Sequence, residues 1–262
     1  MDIATIVGVV VALVIVFVVQ IMEGGSPASI ILIPSLLLVF GGAFCAGMAG
    51  GVLKDATAVP KNLQKAFLAK VTPPNELVDS VVKLAERARR EGLLALEDAV
   101  KTVEHPFLKR GLQLAIDGTD PEELHDILHA EVAAKKKADK AGMKIFENMG
   151  GYAPTVGIIG TVMGLVHVLE NLDKPETLGH SIAAAFVATL WGVLSANLLW
   201  LPVAARLARL SAIEAEEMEL AIEGVLAIQA GSNPRLVAQK LRSLLPPDAA
   251  KAAEGDKAKK AA

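Results

Sequence analysis

Little in this chain could build conventional metal or covalent chemistry. It has a single cysteine, Cys45, set inside an apolar run. That excludes a disulfide framework and a Cys-based zinc site, and leaves the redox state of the compartment unreadable. The five histidines are scattered along 262 residues and the glycine-rich stretches are apolar, so neither a zinc centre nor a phosphate cradle has support. A formal net charge of -3 argues against a nucleic-acid partner. No alternating apolar and polar run competes with helical spacing anywhere, which points to an all-α chain. The scarcity that matters most is of charge within the longest apolar runs.

What is present is apolar bulk: 53% hydrophobic residues against 21% charged, too apolar for an ordinary soluble domain and too charged to lie wholly in lipid. A helix needs about 20 apolar residues to cross a hydrocarbon core. Four segments are candidates, over residues 3–22, 28–53, 150–169 and 181–205. The first has no basic region before it and no small-residue cleavage site after it, so it reads as a retained span rather than a signal peptide. Lys174 is the only Lys or Arg in the two short links, Glu23 to Pro27 and Glu170 to Gly179. Lys54, Lys61 and Lys65 follow the second segment, Lys135, Lys136, Lys137, Lys140 and Lys144 precede the third, and Arg206 and Arg209 follow the fourth. The asymmetry predicts a multi-pass protein with both termini and the middle region in the cytoplasm.

The middle region, residues 54–149, carries helical periodicity throughout. Asn75 is the expected N-cap of a helix with Leu77, Val81, Leu84 and Ala88 on its apolar stripe. Gly92 should interrupt it and His105-Pro106 should break the chain again, with a short helix following from Phe107 to Ile116. Asp120-Pro121-Glu122 is a strong helix start, combining a capping residue, a proline at the first position and acids in the first turn. One long helix is expected from there toward the third apolar segment. The fourth segment should extend likewise through residues 206–245, and residues 246–262 have the composition of a disordered tail.

Moving an ion through a membrane requires a group that binds it, and ionisable side chains at that depth are costly and usually functional. The four segments hold no carboxylate except Glu170 at the far end of the third. Any ion-binding carboxylate must therefore come from another chain. The third and fourth segments are nevertheless unlike simple anchors. Gly157, Gly160 and Gly164, and then Gly192, Ser195 and Ala196, recur at spacings that let helices approach closely in lipid. Thr161 and Thr189 lie near mid-segment, where a hydroxyl either bonds its own backbone or lines a wet path. Composition alone favours packing for these residues, and simple kinks or boundaries for Pro154 and Pro202.

The motifs DIATIVG, PSLLLVFGG, YAPTVGIIGTVMGLV and AAAFVATLWGVLSANLLWLPVA, in this order from Asp2 to about Leu210, resemble the A subunit of the bacterial flagellar stator, the MotA/PomA family. That resemblance implies a four-helix membrane protein of the bacterial inner membrane, not an enzyme. It also implies five A subunits around two MotB-type subunits, each with one membrane helix carrying the ion-binding aspartate. No cofactor is implied; the translocated ion is H+ or Na+. By resemblance Thr189, with Ala188 and Thr161, lines the ion path, and Pro154 and Pro202 couple ion passage to torque. Arg89 and Glu97, with neighbouring Arg90, Glu91 and Asp98, would contact the rotor switch protein FliG. Sodium-driven members have two adjacent threonines in the fourth segment, whereas Ala188 precedes Thr189 here, favouring protons; Thr161 pulls toward sodium. An ExbB/TolQ-like motor subunit and a membrane scaffold without ion flow stay open as alternatives.

Overall fold

The computed structural model describes residues 4–70, 73–173 and 175–245. Among these the chain is helical, with no strand. The expected tail at 246–262, Ile3 of the first segment, and Lys174 of the link before the fourth segment lie outside the described residues. The helices are α1 (Ala4–Met22), α2 (Ile33–Ala49), α3 (Leu53–Leu68), α4 (Pro74–Glu91) and α5 (Glu97–Lys101). They continue with α6 (Pro106–Ile116), α7 (Pro121–Glu170), α8 (Pro175–Gln229) and α9 (Pro234–Ser243). Helices α1, α7 and α8 are long and apolar enough to cross a membrane, and α2 is a shorter apolar helix.

The second apolar segment departs from its expected bounds at both ends. Pro27 to Ile30 forms a separate 3-10 turn capped by the Ser26 hydroxyl, and Leu32 is extended before Pro34 starts α2 in its first turn. At the other end Gly50 and Gly51 stop the helix, and Asp55 accepts from the Val52 N–H at 3.5 Å as α3 begins. Residue 53 is thus the start of a new amphipathic helix rather than the end of a span. Asn75 is not the cap of α4 either. Pro73 holds that place with Pro74 at the first helical position, because proline loses no hydrogen bond there. Gly92 breaks the chain as expected, at φ +85°, a left-handed value that a side chain would resist. Asp120 caps α7, accepting from the Glu122 N–H at 2.9 Å.

The chain forms two compact units. One comprises residues 1–70 and 138–210, the other 71–137 and 211–262. The first is built on α1, α2, α3, the later part of α7 and the earlier part of α8. Its core mixes small residues, Ala43, Ala153 and Ala196, with Val39, Phe146, Met149 and Trp200. In this unit Phe40 stacks edge-on against Trp200, 5.7 Å between ring centroids, and leans on Trp191 at 6.1 Å. The second unit is an aliphatic helical cluster in which Leu96, Leu108, Leu112, Leu124, Leu128, Ile222 and Leu241 are almost inaccessible. Such burial stabilises by about 1.5–3 kcal/mol per side chain. Across the α7–α8 pair of this unit, Lys136 donates to Glu219 at 2.8 Å and Lys135 to Glu214.

Candidate functional site

The apolar parts of α7 and α8 lie together because the residues at their crossing have almost no side chain. A Cβ on Gly157 would stand 2.7 Å from the Ala188 carbonyl oxygen, and one on Gly192 would stand 2.7 Å from the Ala153 carbonyl oxygen. Gly160 and Gly164 abut the methyls of Ala188 and Ala185 in the same way. This close approach is what brings two hydroxyls, 28 residues apart in sequence, into contact. The Oγ1 atoms of Thr161 and Thr189 are 2.5 Å apart. Thr161 also lies 3.0 Å from the Ala185 carbonyl oxygen on the facing helix and 3.3 Å from the Gly157 carbonyl oxygen on its own.

A hydroxyl has one proton to donate and two lone pairs. With Thr161 donating to a carbonyl, it accepts from Thr189, whose own lone pairs remain uncommitted. Both threonines are half-buried. Ala188 is buried, packs on Gly160, and forms part of the wall of a cavity of about 510 Å3 with Leu38, Gly164 and Ala185, rimmed by His167 and His180. No carboxylate lies among the lining residues of that cavity.

Both candidate prolines sit within continuous helix. Pro154 is half-buried in the middle of α7's course, its Cα 3.3 Å from where a Gly192 Cβ would be. Gly150, whose carbonyl Pro154 cannot bond, faces Leu201, the neighbour of Pro202. Ahead of Pro202 the helix widens into one π turn over Ala196–Trp200, with the Leu201 N–H bonding the Ala196 carbonyl. The widening gives the pyrrolidine ring room where a tight α turn would collide with it. The two prolines therefore occupy the same stretch of the helix pair.

The charged candidates lie in the second unit, at the end of α4 and the start of α5, joined through Gly92 and the 3-10 turn Leu93–Leu96. Arg89, Arg90, Glu91, Glu97 and Asp98 are all exposed. Two of them are already engaged. Arg87 donates to Glu91 at 3.1 Å, and Lys101 donates to Asp98 at 2.8 Å. The Lys101 hydrogen bond holds the Asp98 carboxyl below the usual carboxylate range, and Asp98 in turn raises the Lys101 ammonium. Arg89, Arg90 and Glu97 have no ion pair among the described residues. Beside them Leu94 is 74% exposed, an apolar tip among charges.

Side chains beyond the predicted set take part as well. Arg87 and Lys101 were legible from their four- and three-residue spacing to Glu91 and Asp98. Trp191 was not: its indole N–H donates to the Ile30 carbonyl at 2.5 Å, tying α8 to the 3-10 turn between α1 and α2. The histidines are also less scattered than they look, since His125 and His129 stand one turn apart on α7 with ring centroids 4.2 Å apart. No third ligand joins them: the described residues contain no cluster of three groups able to hold a metal.

Three membrane-length apolar helices, two of them meeting at a hydroxyl pair beside a cavity without acids, place the described residues in the class of all-helical membrane proteins. Residues 99–220 match the MotA/TolQ/ExbB proton channel family, and residues 6–92 match the motility protein A N-terminal family. The Motility protein A of Bacillus subtilis is 38% identical over 247 residues, covering 94% of this chain and 92% of that protein. Among solved structures, C. jejuni MotAB superposes with a TM-score of 0.90 at 31% identity, covering 95% of this chain and 97% of that one. The flagellar MotAB stator complex of Bacillus subtilis superposes with a TM-score of 0.86 at 37% identity, covering 93% and 96%. The chain belongs to the motility protein A family, whose members are stator subunits of the flagellar motor rather than enzymes.

Proposed function

We propose that this chain works as the A-type subunit of a proton-driven flagellar stator in the bacterial inner membrane, with four spans and both termini in the cytoplasm. The spans correspond to the apolar segments near 3–22, 150–169 and 181–205 and to the helical part of the second segment, 33–49. Residues 54–149 form the cytoplasmic rotor-interacting loop, and 206–245 form cytoplasmic C-terminal helices. Five such chains surround two MotB-type subunits, whose membrane aspartates bind the ion. Ion passage along the wall containing Thr189, Thr161 and Ala188 lets the A ring turn, Pro154 and Pro202 couple that step to the cytoplasmic helices, and the Arg89–Glu97 region engages FliG.

The observation that carries this reading is the pair of hydroxyls 2.5 Å apart between two close-packed apolar helices, in a chain with no acid at that depth. Such a wall can orient water or a passing ion but cannot bind a proton by itself, which leaves the carboxylate to the partner. The sodium-driven reading is favoured by Thr161. Against it, the Thr161 hydroxyl is committed to Thr189 and to the Ala185 carbonyl, leaving it little capacity to replace an ion's hydration shell. Swimming speed of cells dependent on this stator, measured with external sodium removed at constant proton-motive force, separates the two. Unchanged speed is expected; arrest would make sodium the coupling ion. If Thr189→Val leaves torque and assembly at normal levels, Thr189 is not on the path.

A further inference from the structure

We propose that the cavity between α3, α7 and α8 binds the phosphate of an anionic phospholipid, one headgroup per chain. The cavity holds about 280 Å3, near the lower end of ligand-sized pockets. It lies wholly within the first unit and is lined by three lysines, Lys54, Lys61 and Lys65, all from α3. Of the two acids on its wall, Asp55 caps the start of α3, and Asp139 pairs with Lys65 at 3.8 Å and offsets that lysine, so the free positive charge is that of Lys54 and Lys61. Lys54 and Lys61 are exposed and have no carboxylate partner among the described residues. Asn62 fixes the floor, donating to the Gly142 carbonyl at 3.4 Å.

The occupant follows from depth and from the shape of α3. This inference rests on the proposed membrane topology. Leu207, on the cavity wall, lies two residues beyond Ala205, about 3 Å of helix rise past the end of the fourth apolar segment. That is the level of the cytoplasmic headgroups. Both ends of α3 carry bare apolar side chains, with Val52 62%, Leu53 72% and Leu68 49% exposed, as expected of a helix lying in the interface rather than in water. Met143 and Leu207 on the wall suit the glycerol end of a lipid, and the lysines suit its phosphate. Basic pockets between helices on the cytoplasmic side are where anionic headgroups are held, at an affinity set largely by each lysine near the surface.

The test uses the complete A–B complex, purified and returned to nanodiscs containing equal phosphatidylglycerol and phosphatidylcholine, with retained lipid counted by native mass spectrometry. Phosphatidylglycerol should be retained in preference, close to one per A chain. Lys54→Gln together with Lys61→Gln should weaken retention roughly tenfold or more, each single change giving part of the loss, whereas Lys83→Gln in the other unit should leave it unchanged. Equal retention of the two lipids, no change in the double variant, or displacement by millimolar inorganic phosphate in place of lipid would each overturn the proposal. Assembly of the complex is followed in the same samples, so a folding defect is seen directly. Failure here with normal sodium-independent swimming rejects only the lipid site. Preserved lipid preference with a failed Thr189 test rejects only the ion-path reading.

Discussion

At the scale of single residues, the contact between α7 and α8 is governed by what glycine omits. A methyl at Gly157 would meet backbone on three sides, the Ala188 oxygen at 2.7 Å, the Thr189 Cα at 3.0 Å and the Gly192 Cα at 3.2 Å. No rotamer relieves a clash with backbone, so Gly157→Ala must push the helices apart, at a cost of about 1–3 kcal/mol. Gly151→Ala, where nothing lies within 4 Å, is the matched control and should not lower the thermal midpoint. Separation at Gly157 should also break the Thr161–Thr189 contact, so the alanine variant is expected to lose torque as well as stability. Thr161 itself can be dissected by isosteres. Thr161→Val keeps the shape and removes the hydroxyl that reaches Ala185 and Thr189; interhelical hydrogen bonds in membranes contribute about 0.6 kcal/mol. The valine variant should therefore melt only slightly earlier in scanning fluorimetry, and Thr161→Ser should restore the midpoint. A loss larger than that of Gly157→Ala would mean the hydroxyl, rather than the close approach, dominates this contact.

At the scale of elements, helix ends decide how the second unit responds to pH. His105 caps α6 by accepting from the Leu108 N–H through Nδ1 at 3.2 Å, which only an unprotonated ring nitrogen can do. Burial holds its pKa below the ordinary value of 6.5. The unfolded chain then binds more protons than the folded one between the two values, so stability is complete above about pH 6.5 and falls as pH drops below it. Asparagine is a good cap without a titrating ring. Thermal midpoints measured from pH 7.5 to 5 should decline for the native protein more steeply than for His105→Asn; parallel curves would remove His105 as the cause. The same helix ends mark how far sequence could be read. Asp120 and Gly92 were legible because cap chemistry and a left-handed turn are local. The split of the second apolar segment at Gly50-Gly51 was not, because both sides of the break are apolar and glycine is tolerated within membrane helices. The contact between Thr161 and Thr189 and the bond from Trp191 to Ile30 depend on helix register across 28 and 161 residues, which periodicity within one segment does not contain.

At the scale of the whole molecule, the formal charge of -3 conceals a division of labour. The first unit carries the apolar wall with no acid at depth, and the second carries exposed charges of both signs beside one another. Around Gly92, Arg87–Glu91 and Asp98–Lys101 satisfy each other, and exposed pairs of this kind contribute little to stability. They leave Arg89, Arg90 and Glu97 exposed and without an ion pair among the described residues. Exposed charges at a contact set encounter rate and orientation more than affinity, which suits a surface that must engage and release repeatedly. Reversing one should therefore impair torque without disturbing the fold. Arg89→Glu places an acid in the last turn of α4, where the helix dipole opposes it by about 0.3–1 kcal/mol, a loss the unit can tolerate. Glu97→Lys removes an acid from the first turn of α5 at a similar cost. Each single reversal is expected to cut swimming speed several-fold at unchanged membrane level and unchanged assembly, and Lys83→Glu on the same helix should leave speed near normal. Raising cytoplasmic ionic strength should reduce the torque of the native stator while narrowing the gap between it and the variants, because screening acts on the same contacts the substitutions remove. Equal torque in Arg89→Glu, Glu97→Lys and the native protein at every salt level would assign rotor engagement to another part of the second unit, with the exposed Leu94 tip the next place to test.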